Sequence, residues 1–265
     1  MDKKIGFIGA GNMASTIING LVNSFENIKD KIYVADITEE KVENLCSEHN
    51  INPCKGNVEL VKRCDIIFLA IKPNVYQTVL KEIKSHINNR KLIISMMAGV
   101  TIGDIGLHFK QPTKIIRIMP NVGVTVNEGM IALSGGNNVG REEIDLAVEL
   151  LSSIGKIDEI EEHLMDAVTN ISGCSPAYIA MFVEALADGS VLRGMPRDKA
   201  YIYAAQTLIG TGKMILEKGI HPGELKDLVS SPAGVTIEGV YNLEKRGFRS
   251  IVMETMDICD RKMKS

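Results

Sequence analysis

The stretch KIGFIGAGNMASTIINGL, residues 4–21, decides the fold. The apolar run KIGFIG is followed by a glycine-rich turn and then by apolar residues at three- and four-residue spacing, which is typical of a strand, a loop and a helix. Gly9, Gly11 and Ala14 form the pattern G-x-G-x-x-A within it. In such a pattern Gly9 permits the tight turn, Gly11 lets the backbone approach a pyrophosphate, and Ala14 allows close helix–strand packing. The stretch therefore predicts the start of a dinucleotide-binding βαβ unit.

The first 160 residues alternate between short apolar runs and amphipathic stretches. The runs are rich in β-branched residues and apolar on both faces, as expected of buried parallel strands. The stretches between them have helical spacing, so this part is predicted to be an α/β Rossmann-type doubly wound sheet. The predicted strands cover 4–9, 31–36, 64–71, 91–96, 114–119 and 129–135, the predicted helices cover 12–24, 38–49 and 73–87, and 140–162 is expected to add a last helix and strand.

From about residue 161 onward only helical patterns remain, separated by breaks such as Gly194–Pro196 and Gly219–Pro222. We therefore predict a dinucleotide-binding domain over 1–160 and an all-α domain over 161–265. The helix at 176–190 is apolar around most of its circumference, so it must be enclosed by other helices. A domain of this size offers few layers to enclose it, which favours a dimer.

Composition excludes several classes of function. The 265 residues carry a formal charge of −3 without a basic stripe, so nucleic acid is not an expected partner. Glycines and Asn12 interrupt the N-terminal apolar run, no A-x-A site follows it, and no apolar run reaches the roughly 18 residues of a membrane span. Neither a signal peptide nor a membrane segment is expected. Five scattered cysteines without metal-ligand spacing indicate reduced thiols in a cytoplasm and no metal site.

Asp36 ends the second predicted strand. A carboxylate there would accept hydroxyls of an adenosine ribose and repel a 2′-phosphate, which favours NADH over NADPH. The alternative is that Asp36 caps the helix beginning at Thr38. After the third strand, Ala70 is small enough to admit a cofactor, and Lys72 either contacts a phosphate or ribose or is a solvated loop lysine.

The chain carries few groups suited to acid catalysis. Its five histidines lie at predicted helix ends and element boundaries, where they are interpreted as surface or capping residues. The run SGCSPAYIAMFVEALADG (172–189) contains no lysine, whereas related hydroxyacid dehydrogenases have a catalytic lysine on the corresponding helix. A ketone needs strong electrophilic help at its oxygen, but an iminium ion is already protonated. The sequence therefore favours reduction of a C=N bond.

Stretches along the whole chain resemble the pyrroline-5-carboxylate reductase family. The segment SSPAGVTIEGVYNLEKRGFR (230–249), preceded by HPGELKD, is similar to the C-terminal signature of that family. The other matching stretches are GFIGAGNMA, LAIKP, RIMPN, DAVTNISGCSPAY, EALADG and AAQTLIGTGKM.

This resemblance implies an N-terminal Rossmann domain and a C-terminal helical dimerisation domain that also binds substrate. The implied reaction is the NAD(P)H-dependent reduction of 1-pyrroline-5-carboxylate to L-proline, the last step of proline biosynthesis, by a homodimer that can assemble further into a decamer. Thr236 is implied as the hydrogen-bond partner or proton relay at the ring nitrogen, the alternative being that it caps a helix. Substrate contacts fall on Ser231, Gly234, Val235 and Thr236, and nucleotide contacts fall on Ile8, Gly9, Ala10, Gly11, Asn12, Met13, Asn57, Ala70, Ile71, Lys72, Pro73, Ala98 and Gly99.

The chain departs from the family pattern at a few positions. Where the family usually has S-G-S-G-P-A-Y, this chain has Cys174 and Ser175 in place of the second serine and the second glycine. Where the family usually has S-P-G-G-x-T, Ala233 replaces the first glycine. Met96 and Met97 stand where smaller residues are common. These changes are expected to affect substrate affinity and turnover but not the reaction.

Two alternatives remain at this stage: a reductase of another cyclic imine, such as a six-membered homologue, and a non-catalytic nucleotide-binding protein. The intact SSPAGVT segment disfavours the second, because a cofactor sensor needs no further anion site.

Overall fold

Short runs of buried β-branched residues form the central sheet of the protein, in a computed structural model that describes residues 2–263. The sheet has the strand order β3-β2-β1-β4-β5-β6-β7-β8, and all neighbouring pairs are parallel except β6–β7. This confirms the predicted α/β Rossmann-type sheet. The strands are β1 (Ile5–Ile8), β2 (Ile32–Ala35), β3 (Asn52–Pro53), β4 (Ile66–Leu69), β5 (Leu92–Ser95), β6 (Lys114–Pro120), β7 (Gly129–Gly135) and β8 (Gly155–Glu159).

Apolar side chains cover both faces of this sheet, which explains why its strands lack polar alternation. One core contains Phe7 and Ile17, and the other contains Ile8 and Leu60. The rings of Phe7 and Phe68 stack across β1 and β4 with centroids 4.6 Å apart. The helices of this part are α1 (Asn12–Ser24), α2 (Glu39–His49), α3 (Asn57–Arg63), α4 (Tyr76–Ile83), α5 (Ile102–Gly106), α6 (Arg141–Leu151) and α7 (Met165–Val168).

The direction of β7 differs from the prediction. GMIALSG was expected to be a parallel strand like the others, but it runs antiparallel to β6, with Ile118 opposite Leu133. The connection between the two strands comprises only residues 121–128 and contains a single 3-10 turn. A parallel crossover needs about a dozen residues or more, so this connector is long enough only for an antiparallel return.

The second part of the described chain consists of helices and turns, as predicted. A π-helical turn over 169–174 precedes α8, and Pro176 and Pro222 lie in the first turns of α8 and α10, where a missing N–H is tolerated. The helices are α8 (Ser175–Val191), α9 (Arg197–Lys218), α10 (Pro222–Leu228), α11 (Val235–Lys245) and α12 (Phe248–Met263).

The chain divides into two compact units, residues 1–173 and 174–265. The domain boundary at 160/161 stays a prediction, since a division by contacts does not test where a domain would fold independently. Among the described residues, no helix combines the length and apolar character that a membrane crossing requires.

The surface of α8 is apolar and largely uncovered within this chain. In this described helix Ala187 is the one buried side chain, while Met181 is 69% exposed and Ile179 and Leu186 are also exposed. Soluble monomers rarely leave such contiguous apolar surface in water, so this unit requires a partner surface.

Candidate active site

The strand order reverses between β1 and β4, and a doubly wound sheet binds ligands at the carboxyl ends of strands beside such a reversal. The Ala70 N–H donates to the Ile8 carbonyl over 2.9 Å, and the Gly9 N–H donates to the Ala35 carbonyl over 2.8 Å. Gly9 has φ +105°, and a Cβ atom there would lie 2.3 Å from the Ala70 carbonyl oxygen. Glycine at this position therefore lets the loop turn directly against the end of β4.

Gly11 has a different environment from Gly9. It is the N-cap of α1 with φ −83° and ψ 177°, a conformation open to any residue, and no protein atom lies within 4 Å of a Cβ built on it. No side chain caps this helix within the described chain. The bare N-terminus of a 13-residue helix above open space fits an external anion such as a pyrophosphate.

Asp36 links the glycine-rich loop to the end of β2. One carboxylate oxygen accepts the Ala10 N–H over 2.8 Å, and the other accepts the Thr38 N–H over 2.9 Å. The alternative role of Asp36, as a cap for the helix near Thr38, accounts only for the bond from the Thr38 N–H, since Thr38 is the N-cap of α2. It does not account for the bond from the Ala10 N–H. Asp36 therefore holds the loop in place whether or not a ribose binds beside it.

A cleft of about 530 Å³ lies at this edge of the sheet and brings together Ile8, Gly9, Asp36, Asn57 and Ile71 from the predicted set. The Asn57 side-chain amide donates to Glu82 over 2.8 Å. Sequence reasoning missed the lining residues that directly precede α3 and those on α4, because a helical pattern predicts α4 but not which of its residues face a cleft formed with distant segments. These additional lining residues are Lys55, Gly56, Thr78, Val79 and Glu82.

The other predicted nucleotide contacts lie around this cleft. Ala10, Gly11 and Asn12 line a smaller hollow of about 250 Å³. Met13 and Ala70 pack against the core at its margin. Lys72 and Pro73 are exposed after β4, where Pro73 begins a 3-10 turn, and Ala98 and Gly99 are exposed after β5. All of them follow neighbouring parallel strands and so lie along one edge of the sheet.

The predicted substrate segment connects α10 to α11 in the second unit. The Gly234 N–H donates to the Ser231 carbonyl over 3.0 Å, and a Cβ on Gly234 would lie 2.4 Å from the Ser231 hydroxyl oxygen. Ala233 has φ +57°, in the left-handed region that favours glycine. Gly234 is the N-cap of α11, so the alternative reading of Thr236 as a cap is wrong. Val235, which is 91% exposed, and Thr236 open the helix at the surface of the chain.

Two histidines test the interpretation of these residues as surface or capping groups. His221 is the N-cap of α10 and accepts the Gly223 N–H over 3.1 Å, as expected. His49 is only 7% exposed, so its interpretation as a surface residue is wrong.

The fold and the site together define a class. A doubly wound sheet, a glycine-rich loop at the strand reversal and a bare helix N-terminus above it are the features of a Rossmann-type dinucleotide-binding protein, here with a helical unit after the sheet.

Comparison with known proteins identifies the family. Residues 162–265 match the family model described as "Pyrroline-5-carboxylate reductase dimerisation", and residues 4–99 match "NADP oxidoreductase coenzyme F420-dependent". The chain is 43% identical over 262 residues to pyrroline-5-carboxylate reductase of Escherichia coli (strain K12), covering 99% of this chain and 97% of that protein. The reductase of Methanosarcina acetivorans is 40% identical, with 96% and 94% covered. The chain belongs to the pyrroline-5-carboxylate reductase family.

Solved structures agree over the whole chain. The Plasmodium falciparum pyrroline carboxylate reductase, solved with NADP bound, superposes with a TM-score of 0.89 at 33% identity, covering 99% of this chain and 97% of that one. The Streptococcus pyogenes 1-pyrroline-5-carboxylate reductase superposes with a TM-score of 0.89 at 31% identity, covering 99% and 98%.

The two loop glycines should separate folding from cofactor binding. Gly9→Ala introduces a strained φ and a clash with a backbone carbonyl, so we expect it to lower the stability by about 2 kcal/mol or more. Gly11→Ala meets no protein atom, so thermal unfolding should be unchanged while the Kd for NADH rises roughly tenfold or more, about 1.4 kcal/mol. Thermal unfolding and fluorescence titration measure the two effects. Wild-type NADH affinity in Gly11→Ala would contradict this assignment.

Ala233→Gly should stabilise the protein. Glycine removes the left-handed strain but gains entropy in the unfolded chain, so we expect a net increase of about 0.5 kcal/mol in the free energy of unfolding. The matched control Ala205→Gly lies inside α9 and should lose about 1 kcal/mol. Urea unfolding at a fixed protein concentration compares them. Destabilisation by both substitutions would show that Ala233 is not strained.

Proposed function

We propose that this protein reduces 1-pyrroline-5-carboxylate to L-proline with a nicotinamide dinucleotide, as a homodimer in the cytoplasm. The observation that carries the proposal is the 43% identity to the Escherichia coli reductase over 99% of the chain. The dimerisation match over residues 162–265 and the uncovered apolar surface of α8 support the homodimer. The cytoplasmic location rests on the five cysteines, all of them free thiols.

The cofactor is assigned to the carboxyl edge of the sheet. The amides at the start of α1 would hold its pyrophosphate, with Gly11 providing the space and Asp36 fixing the loop. The cleft between Asp36 and Asn57 would hold its adenosine half. When bound, the nicotinamide supplies a hydride from its C4 atom.

The substrate carboxylate is assigned to the start of α11. The amides of the first turn of a helix have no intrahelical acceptor and carry partial positive charge. The Gly234 N–H is already bonded to Ser231, so the Val235 and Thr236 amides remain for the anion, together with the Ser231 hydroxyl beside Gly234. Val235 adds an apolar contact for the ring.

Thr236 is assigned to the ring nitrogen of the substrate. In the protonated imine this nitrogen carries a proton and positive charge, so carbon C5 accepts a hydride without a strong acid nearby. The Thr236 hydroxyl would accept a hydrogen bond from that N–H and keep the ring plane oriented. This role fits the absence of a lysine from the run 172–189.

Replacing Thr236 by alanine should lower kcat by a factor of about 10²–10⁴, the usual range for an acid–base or positioning group at the reacting atoms. The Kd for NADH should not change, because the assigned nucleotide contacts belong to the other unit. Thr236→Ser keeps the hydroxyl and should retain most of the turnover. Steady-state assays with 1-pyrroline-5-carboxylate measure the turnover of both variants, and fluorescence titration measures the Kd for NADH. Unchanged turnover in Thr236→Ala would remove this role.

We further propose that NADH is preferred over NADPH. The cleft assigned to adenosine is lined by the carboxylates of Asp36, Glu39 and Glu82 and by one lysine, Lys55. Their net negative charge disfavours a 2′-phosphate.

Parallel assays with NADH and NADPH test both the reaction and the preference. We expect kcat/KM to be higher with NADH, and Glu39→Gln to shift the ratio toward NADPH by roughly twofold to fivefold. Glu40→Gln, a neighbour outside the cleft, should leave the ratio unchanged. A higher kcat/KM with NADPH would contradict the preference alone, whereas no oxidation of either cofactor would reject the proposed reaction.

A further inference from the structure

Two cysteines far apart in the sequence meet in the helical unit. Cys174 immediately precedes α8, and Cys259 lies in α12. The Tyr178 hydroxyl lies 2.9 Å from the Cys259 sulfur. Cys174 precedes Tyr178 by four residues, about one helical turn, which places Cys174 on the side of α8 that Cys259 contacts. Both cysteines are partly exposed. The cluster therefore brings together two sulfurs that lie on different helices and are partly exposed in a single subunit.

The other three cysteines have a different environment. Cys46, Cys54 and Cys64 are buried in the first unit, where burial raises the pKa of Cys54 to about 11 and that of Cys64 to about 12. They form few thiolates at neutral pH and are shielded from reagents in solution. They serve as internal controls for the exposed pair.

Tyr178 affects the chemistry of the pair. Its hydrogen bond to Cys259, followed by burial, raises the pKa of the Tyr178 hydroxyl to about 12, so it keeps its proton at neutral pH. A protonated hydroxyl can donate to a Cys259 thiolate and stabilise it. Because the Tyr178 hydroxyl lies beside the Cys259 sulfur, we assign Cys259 as the first nucleophile of the two. Burial, followed by the neighbouring Cys259, raises the pKa of the Cys174 thiol.

We propose that Cys174 and Cys259 are a redox modification site that forms a reversible disulfide between the start of α8 and α12. The oxidant is a small disulfide such as oxidised glutathione. The Cys259 thiolate attacks one of its sulfurs, forming a mixed disulfide and releasing one glutathione thiolate. The Cys174 thiolate then attacks the Cys259 sulfur and releases the second. Two protein thiols lose two electrons and two protons, and one glutathione disulfide is reduced to two thiols.

This disulfide would stabilise the helical unit, because it restricts a long stretch of the unfolded chain. For a protein of this size the expected increase in Tm is roughly 5–10 °C. The proposal does not depend on the substrate of the enzyme.

The test uses the reduced full-length protein. It is incubated with oxidised glutathione, its remaining thiols are alkylated, and the intact mass and a non-reduced peptide map are recorded. We expect three alkylated thiols of the five, a linked pair of peptides containing Cys174 and Cys259, monomeric mobility on a non-reducing gel, and a raised Tm that returns with dithiothreitol.

Matched variants separate the pair from the buried cysteines. Cys174→Ser should stop at a glutathione adduct on Cys259 with no increase in Tm. Cys46→Ser should still form the disulfide and show the full increase. Five alkylated thiols in the wild-type protein, a disulfide within the buried group, or a disulfide that links two subunits would each overturn the proposal.

Discussion

The contact between Gly9 and the carbonyl of Ala70 is the constraint on which the Rossmann unit depends. Because Gly9 has no Cβ, β1 and β4 stay hydrogen-bonded to their last residues while the chains beyond them diverge in opposite directions. The turn aims the start of α1 at the sheet edge, and Asp36 holds the same loop from the β2 side. The ends of β1, β2 and β4 therefore all contact the loop at residues 8–10. These contacts determine the shape of the assigned cofactor site.

The two glycines of the glycine-rich pattern are required for different reasons, one for the fold and the other for the assigned cofactor site. The fold requires glycine at position 9, because φ is positive there and the Ala70 carbonyl leaves no room for a Cβ atom. Gly11 has an ordinary conformation and open space around it. Both carboxylate oxygens of Asp36 accept hydrogen bonds from backbone amides, those of Ala10 and Thr38. Its presence alone is therefore a weaker argument for NADH than its position suggested, and the case for that cofactor rests more on the combined charge of Asp36, Glu39 and Glu82.

Sequence patterns predicted the elements that have enough residues to show a period. The strands around Phe7 and Phe68 and the helix from Asn12 were predicted close to their observed bounds. The two-residue β3 and the seven-residue α3 were missed because two residues show no strand alternation and about two helical turns give too few repeats for a clear period. The bond between Asp36 and Ala10 spans 26 residues, so only the folded chain reveals it. The direction of β7 could have been inferred from the shortness of 121–128.

The assigned substrate segment lies in a helical unit with little internal burial. Helices α11 and α12 bury no side chain within the described chain, and Tyr241 and Met253 are more than half exposed. Such a unit has little packing of its own to hold Ala233 in a left-handed conformation that costs about 1–2 kcal/mol. The match to a dimerisation family over 162–265 identifies a second copy of this chain as the source of the missing burial. The strained turn at Ala233 directly precedes the helix whose first amides are assigned to the substrate, so any packing that a second copy adds around this turn would also help to hold the proposed binding geometry.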